Sequence, residues 1–207
     1  MKAGENMVLT PEEKELRRKK AEKAFGEFLS ALGYDWQDDP SLKETPRRVA
    51  KVYLDELGSG AYNKPPKITT FPNENEYTGI VFQGDIDVNS FCAHHWLVIS
   101  GFAYVAYIPT PKTNIIGLSK LNRVVEFFAS RPQTQENLTR QIHDYLEEIL
   151  GETLGIIVHI KADHSCVKTR GVKHNSEMQT CYCSGRFLSN ELHSREEFYN
   201  MMNNCKK

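Results

Sequence analysis

The spacing of apolar residues changes several times along the chain, and this order of patterns limits the fold more than any other feature. Helical spacing occupies 11–32 and 45–57, β patterns occupy 85–108, helical spacing returns over 118–150, and β patterns return over 154–166 and 178–187. Strands that follow one another without a crossover helix pair antiparallel. The sequence therefore predicts an α+β fold built on an antiparallel sheet.

Capping residues mark where several of these helices begin and end. Thr10–Glu13 reads as a capping box, and Gly33 follows the last apolar position of the same helix. Thr45-Pro46 starts the second helix, and Ser194 is predicted to cap a short final one. These signals predict separate helices at both ends of the chain.

The length and composition bound the number of domains and the cellular setting. A chain of 207 residues that is 40% hydrophobic can bury one core with a helical appendage. We predict an N-terminal helical region over 1–62 and a main catalytic domain over 63–207. Residues 1–10 lack the apolar core of a signal peptide, and no run of about eighteen apolar residues occurs. The sequence predicts a cytoplasmic protein with no membrane partner, and its five cysteines suit reduced thiols.

The formal net charge is −1, which argues against a surface that coats polyanions. No nucleic-acid partner is therefore expected, and any phosphate must be bound by local clusters of Lys and Arg.

A thiol and two imidazoles lie within four consecutive positions, Cys92-Ala93-His94-His95. Thiolate and neutral imidazole are the usual zinc ligands, and a Cys-x-x-His pair supplies two of them. Residues three apart on a regular strand point to opposite faces, so Cys92 and His95 can share a metal only if the backbone bends between them. The alternative is a buried apolar cysteine beside a chance histidine pair.

The best further ligand lies far downstream, where His164 and Cys166 are two residues apart. Three protein ligands leave a fourth position open to water, as in catalytic zinc sites. On a strand, His164 would face the same side as Cys166, so it is well placed as a general acid or base. His94 is a second candidate for that role, and the alternative for His164 is a partly buried structural histidine.

Two clusters of basic residues are candidates for binding phosphate. Lys120 and Arg123 are three apart at the start of the helix after Gly117, where free amide groups also point outward. Arg48 and Lys51 share a face of an earlier helix, although a solvated basic face is the favoured explanation there.

Gln135-Glu136 starts the helix that follows Pro132. A carboxylate there is explained by helix capping, or by recognition of guanine, because it can accept from both the ring N–H and the amino group.

Five separated segments resemble the GTP cyclohydrolase I family between about Ser41 and Met201. They are Glu44-Thr45-Pro46-Arg47-Arg48-Val49-Ala50-Lys51, Ser90-Phe91-Cys92-Ala93-His94-His95, Ile116-Gly117-Leu118-Ser119-Lys120-Leu121-Asn122-Arg123, Arg131-Pro132-Gln133-Thr134-Gln135-Glu136 and His164-Ser165-Cys166-Val167-Lys168-Thr169-Arg170-Gly171.

The resemblance implies a role for each matching side chain. Zinc is held by Cys92, His95 and Cys166, and protons are moved by His94 and His164. Guanine is held by Gln135 and Glu136. The triphosphate is surrounded by Arg48, Lys51, Ser119, Lys120, Arg123 and Arg170. The implied reaction converts GTP and water to 7,8-dihydroneopterin triphosphate and formate, the first step towards pterins and folate or 7-deazaguanines.

The resemblance also implies an architecture. It is the tunnelling fold, a four-stranded antiparallel sheet with two helices on one side, here preceded by N-terminal helices. It further implies a homodecamer of two pentamers with sites at the subunit interfaces.

Two places in the chain depart from the family pattern. Ala93 replaces an acidic residue, and Cys181-Tyr182-Cys183 occupies a stretch usually rich in Thr and Ser. A second metal site there with His174 is not expected, because no fourth ligand is evident. Two other functions stay open, a nitrile reductase of the same superfamily, whose motif this chain lacks, and a purine-binding zinc protein without turnover.

Overall fold

The N-terminal part of the chain is helical, as predicted. The structure is a computed structural model that describes residues 1–205. Helix α1 covers Pro11–Ala31 and α2 covers Thr45–Lys51. The capping box forms, since Glu13 N donates to Thr10 Oγ1 and Thr10 N donates to the Glu13 carboxylate. After α2 the chain continues as a π-helical segment, Val52–Glu56, and a 3-10 turn, Ser59–Ala61.

Four long strands form the centre of the main sheet. They are β2 (Val81–Cys92), β3 (Val98–Pro109), β6 (Thr153–His164) and β7 (Glu177–Cys183), and neighbours in the order β2-β3-β6-β7 pair antiparallel. A fifth, short strand, β5 (Pro132–Gln133), pairs parallel with the end of β2, so the sheet has five strands where four were expected. Two further short strands, β1 (Thr70–Phe71) and β4 (Ile115–Ile116), form a separate ribbon.

Two amphipathic helices cover one face of the sheet. Helix α3 spans Leu118–Ala129 and packs on β2, while α4 spans Gln135–Leu150 and packs on β6 and β7. Their buried stripes follow the predicted apolar spacing, except that Leu118, which was predicted to belong to the α3 stripe, is 66% exposed. Val124 and Ile142 are 0% exposed and belong to the main core, together with inward residues of the strands. The α+β class follows directly from this arrangement.

The opposite face carries a smaller core near one end of the strands. Helix α6 (Arg186–Ser189) and helix α7 (Ser194–Asn203) place Phe187 and Phe198 against Tyr104. The last β pattern was predicted to reach 187, but β7 ends at Cys183 because Gly185 turns the chain with φ +54°. The prediction that Ser194 caps the last helix was wrong, since His193 is the cap residue and the Ser194 hydroxyl donates to Glu191 O.

The pairing register defines two ends of the sheet. At one end Ile99 of β3 pairs with both Ser90 and His164, so the ends of β2 and β6 are neighbours there. Tyr107 lies eight residues further along β3, which corresponds to about 26 Å at a strand's rise per residue. Lys206 and Lys207, the end of the predicted domain 63–207, lie outside the described residues. Within residues 1–205, no helix is both long and apolar enough to cross a membrane.

Candidate metal centre and active site

The Cys92–His95 segment is a tight turn between β2 and β3, as the ligand spacing required. Cys92 is the last residue of β2, and residues 93–95 form the turn. Cys92 N donates to Leu97 O at 2.8 Å, and Trp96 N donates to Cys92 O at 2.9 Å. The predicted bend in the backbone is confirmed, and it brings Cys92 Sγ within 3.9 Å of His95 Nδ1.

Cys166 reaches the same place by a different local structure from the one predicted. The β pattern was expected to run through Cys166, but β6 ends at His164 and Ser165–Lys168 forms a short helix, α5. The strand ends there because the helical turn satisfies its own backbone, with Thr169 N donating to Ser165 O. Cys166 therefore lies beside the turn of Cys92, and not two strand positions above His164.

One sulfur or nitrogen atom from each of Cys92, His95 and Cys166 lies within 4.8 Å of the others. Burial raises the pKa of the Cys166 thiol, and the adjacent Cys92 thiol raises it further. Two thiols this close favour a bound cation, because a cation allows both to ionise. Two sulfurs and an imidazole are a donor set that fits a zinc ion with one position left for water.

The two ring nitrogens of His95 have different neighbours. Nδ1 faces Cys92, while Nε2 lies 2.5 Å from an Arg170 guanidinium nitrogen. An imidazole that binds metal through Nδ1 carries its proton on Nε2, which then cannot accept a hydrogen bond. Metal binding through Nδ1 would therefore end the contact of His95 with Arg170, which is exposed.

His94 and His164 both lie next to this group without belonging to it. His94 is exposed, and its Nδ1 is 3.7 Å from Cys92 Sγ. His164 ends β6, opposite Ile99. Burial lowers the pKa of His164, while the charges of Glu136 and Asp163 act in the opposite direction.

Gln135 is buried, with 1% of its surface exposed, and its amide forms hydrogen bonds within the protein. The amide nitrogen lies 3.1 Å from Ile160 O, Met178 O and Thr180 Oγ1. The amide oxygen faces His164 Nε2 at 2.8 Å, so the imidazole donates from Nε2 and its Nδ1 is free to accept. This differs from the predicted contact with guanine, which stays a prediction for this residue.

Glu136 is exposed in the first turn of α4, where the cap is Thr134, whose hydroxyl accepts from Asn137 N. Its charge acts on His164, so the carboxylate lies on the metal side of the helix start. The two predicted base-binding residues thus differ, since one is buried behind His164 and the other is open to solvent.

Among the predicted triphosphate residues, Arg170 contacts the metal group through His95, while those at the start of α3 lie far from it. Ser119 and Lys120 lie at the start of α3, and Ile116 N just before it donates to Tyr107 Oη at 2.9 Å. That anchors them at the end of the sheet far from His164. Arg48 is exposed on α2, and Lys51 there forms an ion pair with Glu56 at 2.9 Å. Arg123 lines a cavity of about 270 Å³ between α3 and residues 59–66.

Two contacts that support the Cys92–His95 turn were not predicted from the sequence. Gln133 pairs with Cys92, and its carbonyl oxygen accepts from Ala93 N at 2.9 Å. Tyr53 contacts both Phe91 and Trp96. The pairing of Gln133 was missed because no local pattern predicts a strand of two residues such as β5. The contacts of Tyr53 were missed because its spacing is that of an ordinary residue in an apolar helical stripe.

Within residues 1–205, the other group of possible ligands is His143, Asp144 and Glu147 on α4. Its histidine ring already contacts Ser184 and Asp144. Among the described residues, neither Cys181 nor Cys183 belongs to a group of possible ligands.

A family model described as GTP cyclohydrolase I matches residues 21–203. The chain belongs to the GTP cyclohydrolase I family. The match includes every candidate site residue named above.

Curated relatives agree with this assignment over nearly the whole chain. GTP cyclohydrolase 1 of Actinobacillus pleuropneumoniae serotype 5b is 45% identical over 198 residues, which is 95% of this chain and 88% of that protein. The Shewanella loihica protein of the same name is 44% identical over 89% of this chain and 85% of its own length. The Haemophilus ducreyi protein is 42% identical, covering 92% of this chain and 86% of that one.

Among solved structures, the chain resembles one titled as the archaeosine synthase QueF-Like in the apo form. The TM-score is 0.42 at 17% identity, covering 52% of this chain and 94% of that one. A score this low supports no inference about fold or function.

Proposed function

We propose that this protein is a GTP cyclohydrolase I, which converts GTP and water to 7,8-dihydroneopterin triphosphate and formate. The observation that supports this most is the convergence of Cys92, His95 and Cys166, with two histidines beside them, in a member of this family. A hydrolase that opens an aromatic ring needs an activated water and groups that move protons. The proposed zinc ligands would supply the first, and His94 and His164 would supply the second.

Zinc is the proposed cofactor, held by Cys92 Sγ, His95 and Cys166 Sγ. When bound, it supplies a Lewis acid that makes water nucleophilic near neutral pH. The two thiols and the imidazole match zinc's preference for sulfur and nitrogen ligands, and three protein ligands suit a catalytic site.

His164 is proposed to transfer protons at its Nδ1 atom. Gln135 fixes the ring by accepting a hydrogen bond from Nε2, so Nδ1 is the nitrogen left to exchange a proton with the substrate or water. Burial lowers the pKa of His164, which favours the neutral ring that can accept a proton. His94, exposed on the other side of Cys92, is the second proposed acid or base.

Glu136 is proposed to recognise the guanine base. Its carboxylate can accept from the ring N–H and the amino group together, a pattern that adenine does not offer. The charge of Glu136 acts on the pKa of His164, so a base held by this carboxylate would lie near that imidazole.

The triphosphate is proposed to bind Arg48, Lys51, Ser119, Lys120, Arg123 and Arg170, with the residues of α3 supplied by a neighbouring subunit. Within one chain, the start of α3 lies about 26 Å along the sheet from the level of His164. That is farther than a nucleoside triphosphate reaches from its base to its last phosphate. A homodecamer with sites at subunit interfaces supplies the missing cations, and an isolated chain is expected to be inactive.

The finer assignments belong to the same proposal. They are the tunnelling fold for the sheet with α3 and α4, a division into residues 1–62 and 63–207, and a cytoplasmic location. The four long antiparallel strands and the two helices on one face support the fold assignment.

The direct test is to incubate the zinc-loaded, assembled protein with GTP and to measure pterin fluorescence after oxidation, formate release and metal content. Pterin and formate in equal amounts are expected. Purine binding without either product would favour a regulatory protein, and NADPH-dependent reduction of a nitrile would favour the reductase.

A further inference from the structure

The turn that carries Cys92 and His95 ends on a residue in an unfavourable backbone conformation. Trp96 has a φ of +55°, a left-handed region that aromatic L-residues rarely adopt. In this conformation, Trp96 N and Leu97 O both bond back to Cys92, which closes the turn. Contacts from outside the turn are therefore needed to keep Trp96 in place.

Tyr53 provides such contacts from the N-terminal helical region. Its Oη donates to Trp96 O at 2.9 Å. The rings of Tyr53, Phe91 and Trp96 also contact one another in all three pairs, with centroids 5.1 to 5.3 Å apart. Phe91 precedes Cys92 and Trp96 follows His95, so the aromatic triad of Tyr53, Phe91 and Trp96 contacts both ends of the turn that carries Cys92 and His95.

The backbone around Tyr53 is itself built for this placement. Tyr53 lies in the π-helical segment Val52–Glu56, and such segments occur often at functional sites. A Cβ atom on Gly58 would lie 1.9 Å from Tyr53 O, so only glycine lets the chain pass there. Burial raises the pKa of the Tyr53 hydroxyl, which keeps it protonated as a donor.

We propose that Tyr53 is a positioning residue for the metal centre. Its hydroxyl and ring hold Trp96 in the left-handed conformation, which keeps Cys92 and His95 convergent before the metal binds. The inference rests on the zinc ligands proposed above. It makes the N-terminal helical region a determinant of metal affinity, although none of that region's side chains is a proposed zinc ligand.

A pair of hydroxyl deletions tests this role. Tyr53→Phe keeps the ring and removes the bond to Trp96, while Tyr62→Phe removes a hydroxyl from the same cavity of about 240 Å³ and serves as the control. Zinc affinity of the full chain is measured by competition with a chromophoric chelator, and Co²⁺ absorption reports ligand geometry. We expect about tenfold weaker zinc binding and shifted Co²⁺ bands for Tyr53→Phe, as for loss of an outer-shell partner, and neither change for Tyr62→Phe.

A second background separates positioning from a general loss of stability. Glycine adopts a positive φ without strain. In a Trp96→Gly protein, the backbone at position 96 therefore depends less on the Tyr53 hydroxyl to keep its left-handed conformation. Tyr53→Phe should then weaken zinc binding by a smaller factor than it does in the parent. Thermal unfolding of the metal-free proteins is measured alongside.

Two results would overturn the proposal: parental zinc affinity in Tyr53→Phe, or the same loss in both backgrounds. If the parent itself binds no zinc, the proposed ligands fail as well. A parent that binds zinc and turns over GTP, with Tyr53→Phe unchanged, refutes the positioning role alone.

Discussion

One chain assembles the metal half of the proposed site but leaves the phosphate half incomplete. The donor atoms of Cys92, His95 and Cys166 lie within 4.8 Å of one another. Lys120, by contrast, starts a helix at the far end of the sheet, and Lys51 is already paired with Glu56. The two halves come from different segments that match one family, and the residues of α3 lie far from the metal ligands within one chain.

The difference has a physical reason. Zinc ligands must lie at about 2.0–2.3 Å in a fixed geometry, which a turn and a strand end within one chain can set accurately. Lys and Arg on long side chains attract phosphate over larger distances, so a second subunit can supply them with less demand on position. The predictions that follow address first the metal half and then the phosphate half.

Cys166→Ala should have the largest effect. Removing one of three ligands is expected to lose zinc and to lower turnover by at least about 10³-fold, because water then keeps its ordinary pKa. Metal content and pterin formation measure both. Cys183→Ala is the matched control, since it removes a partly exposed thiol outside the group. Normal zinc content in Cys166→Ala would show that this cysteine is not a ligand.

His164→Ala should separate proton transfer from metal binding. Turnover is expected to fall by about 10²- to 10⁴-fold, the usual contribution of an acid or base, while zinc content stays at the parental level. Steady-state kinetics and metal analysis of the same preparation provide the comparison. Zinc loss equal to that of Cys166→Ala would refute the division between ligand and proton carrier.

Lys120→Ala should act on binding and leave the metal half intact. We expect the KM for GTP to rise by about 10- to 100-fold with a smaller change in kcat, because a phosphate contact is present in both ground and transition states. Lys112→Ala, which removes an exposed cation from a nearby loop, should change neither. A fall in kcat without a change in KM would show that Lys120 stabilises the transition state and does not merely bind GTP.

Gln135→Met should have the smallest effect of the four and decides between two roles for this side chain. If the amide positions His164, kcat falls by about tenfold while the KM for GTP is unchanged. If it binds guanine as predicted from the sequence, KM rises instead. Unfolding by urea is measured in parallel, because the buried amide also bonds to Ile160 and Thr180.

Local signals explain which parts could be predicted from the sequence. The cap at Thr10 and the stripes of α3 and α4 depend on neighbours within a few residues, and they were predicted correctly except for the exposed Leu118. The bend at His95 followed from the need of two ligands to face one metal.

The features that were missed depend on distant partners. The helical turn at Cys166 interrupts a good β pattern, and Gln135 turns inward because strand carbonyl oxygens and His164 satisfy its amide. Tyr53 has an ordinary helical spacing, and its bond to Trp96 joins residues 43 positions apart. Tertiary contacts of this kind leave no periodic signal in the sequence.

The claim that two chains share each site is tested most directly by mixing two defective proteins. Cys166→Ala lacks the metal half, and a Lys120→Ala/Arg123→Ala protein lacks the phosphate half. Subunits are unfolded together in equal amounts and reassembled, and kcat/KM for GTP is measured against each protein reassembled alone. A shared site predicts recovery to about a quarter of the parental value, since random assembly pairs two intact halves in about one site of four. A mixture no more active than the average of its two components would contradict the account.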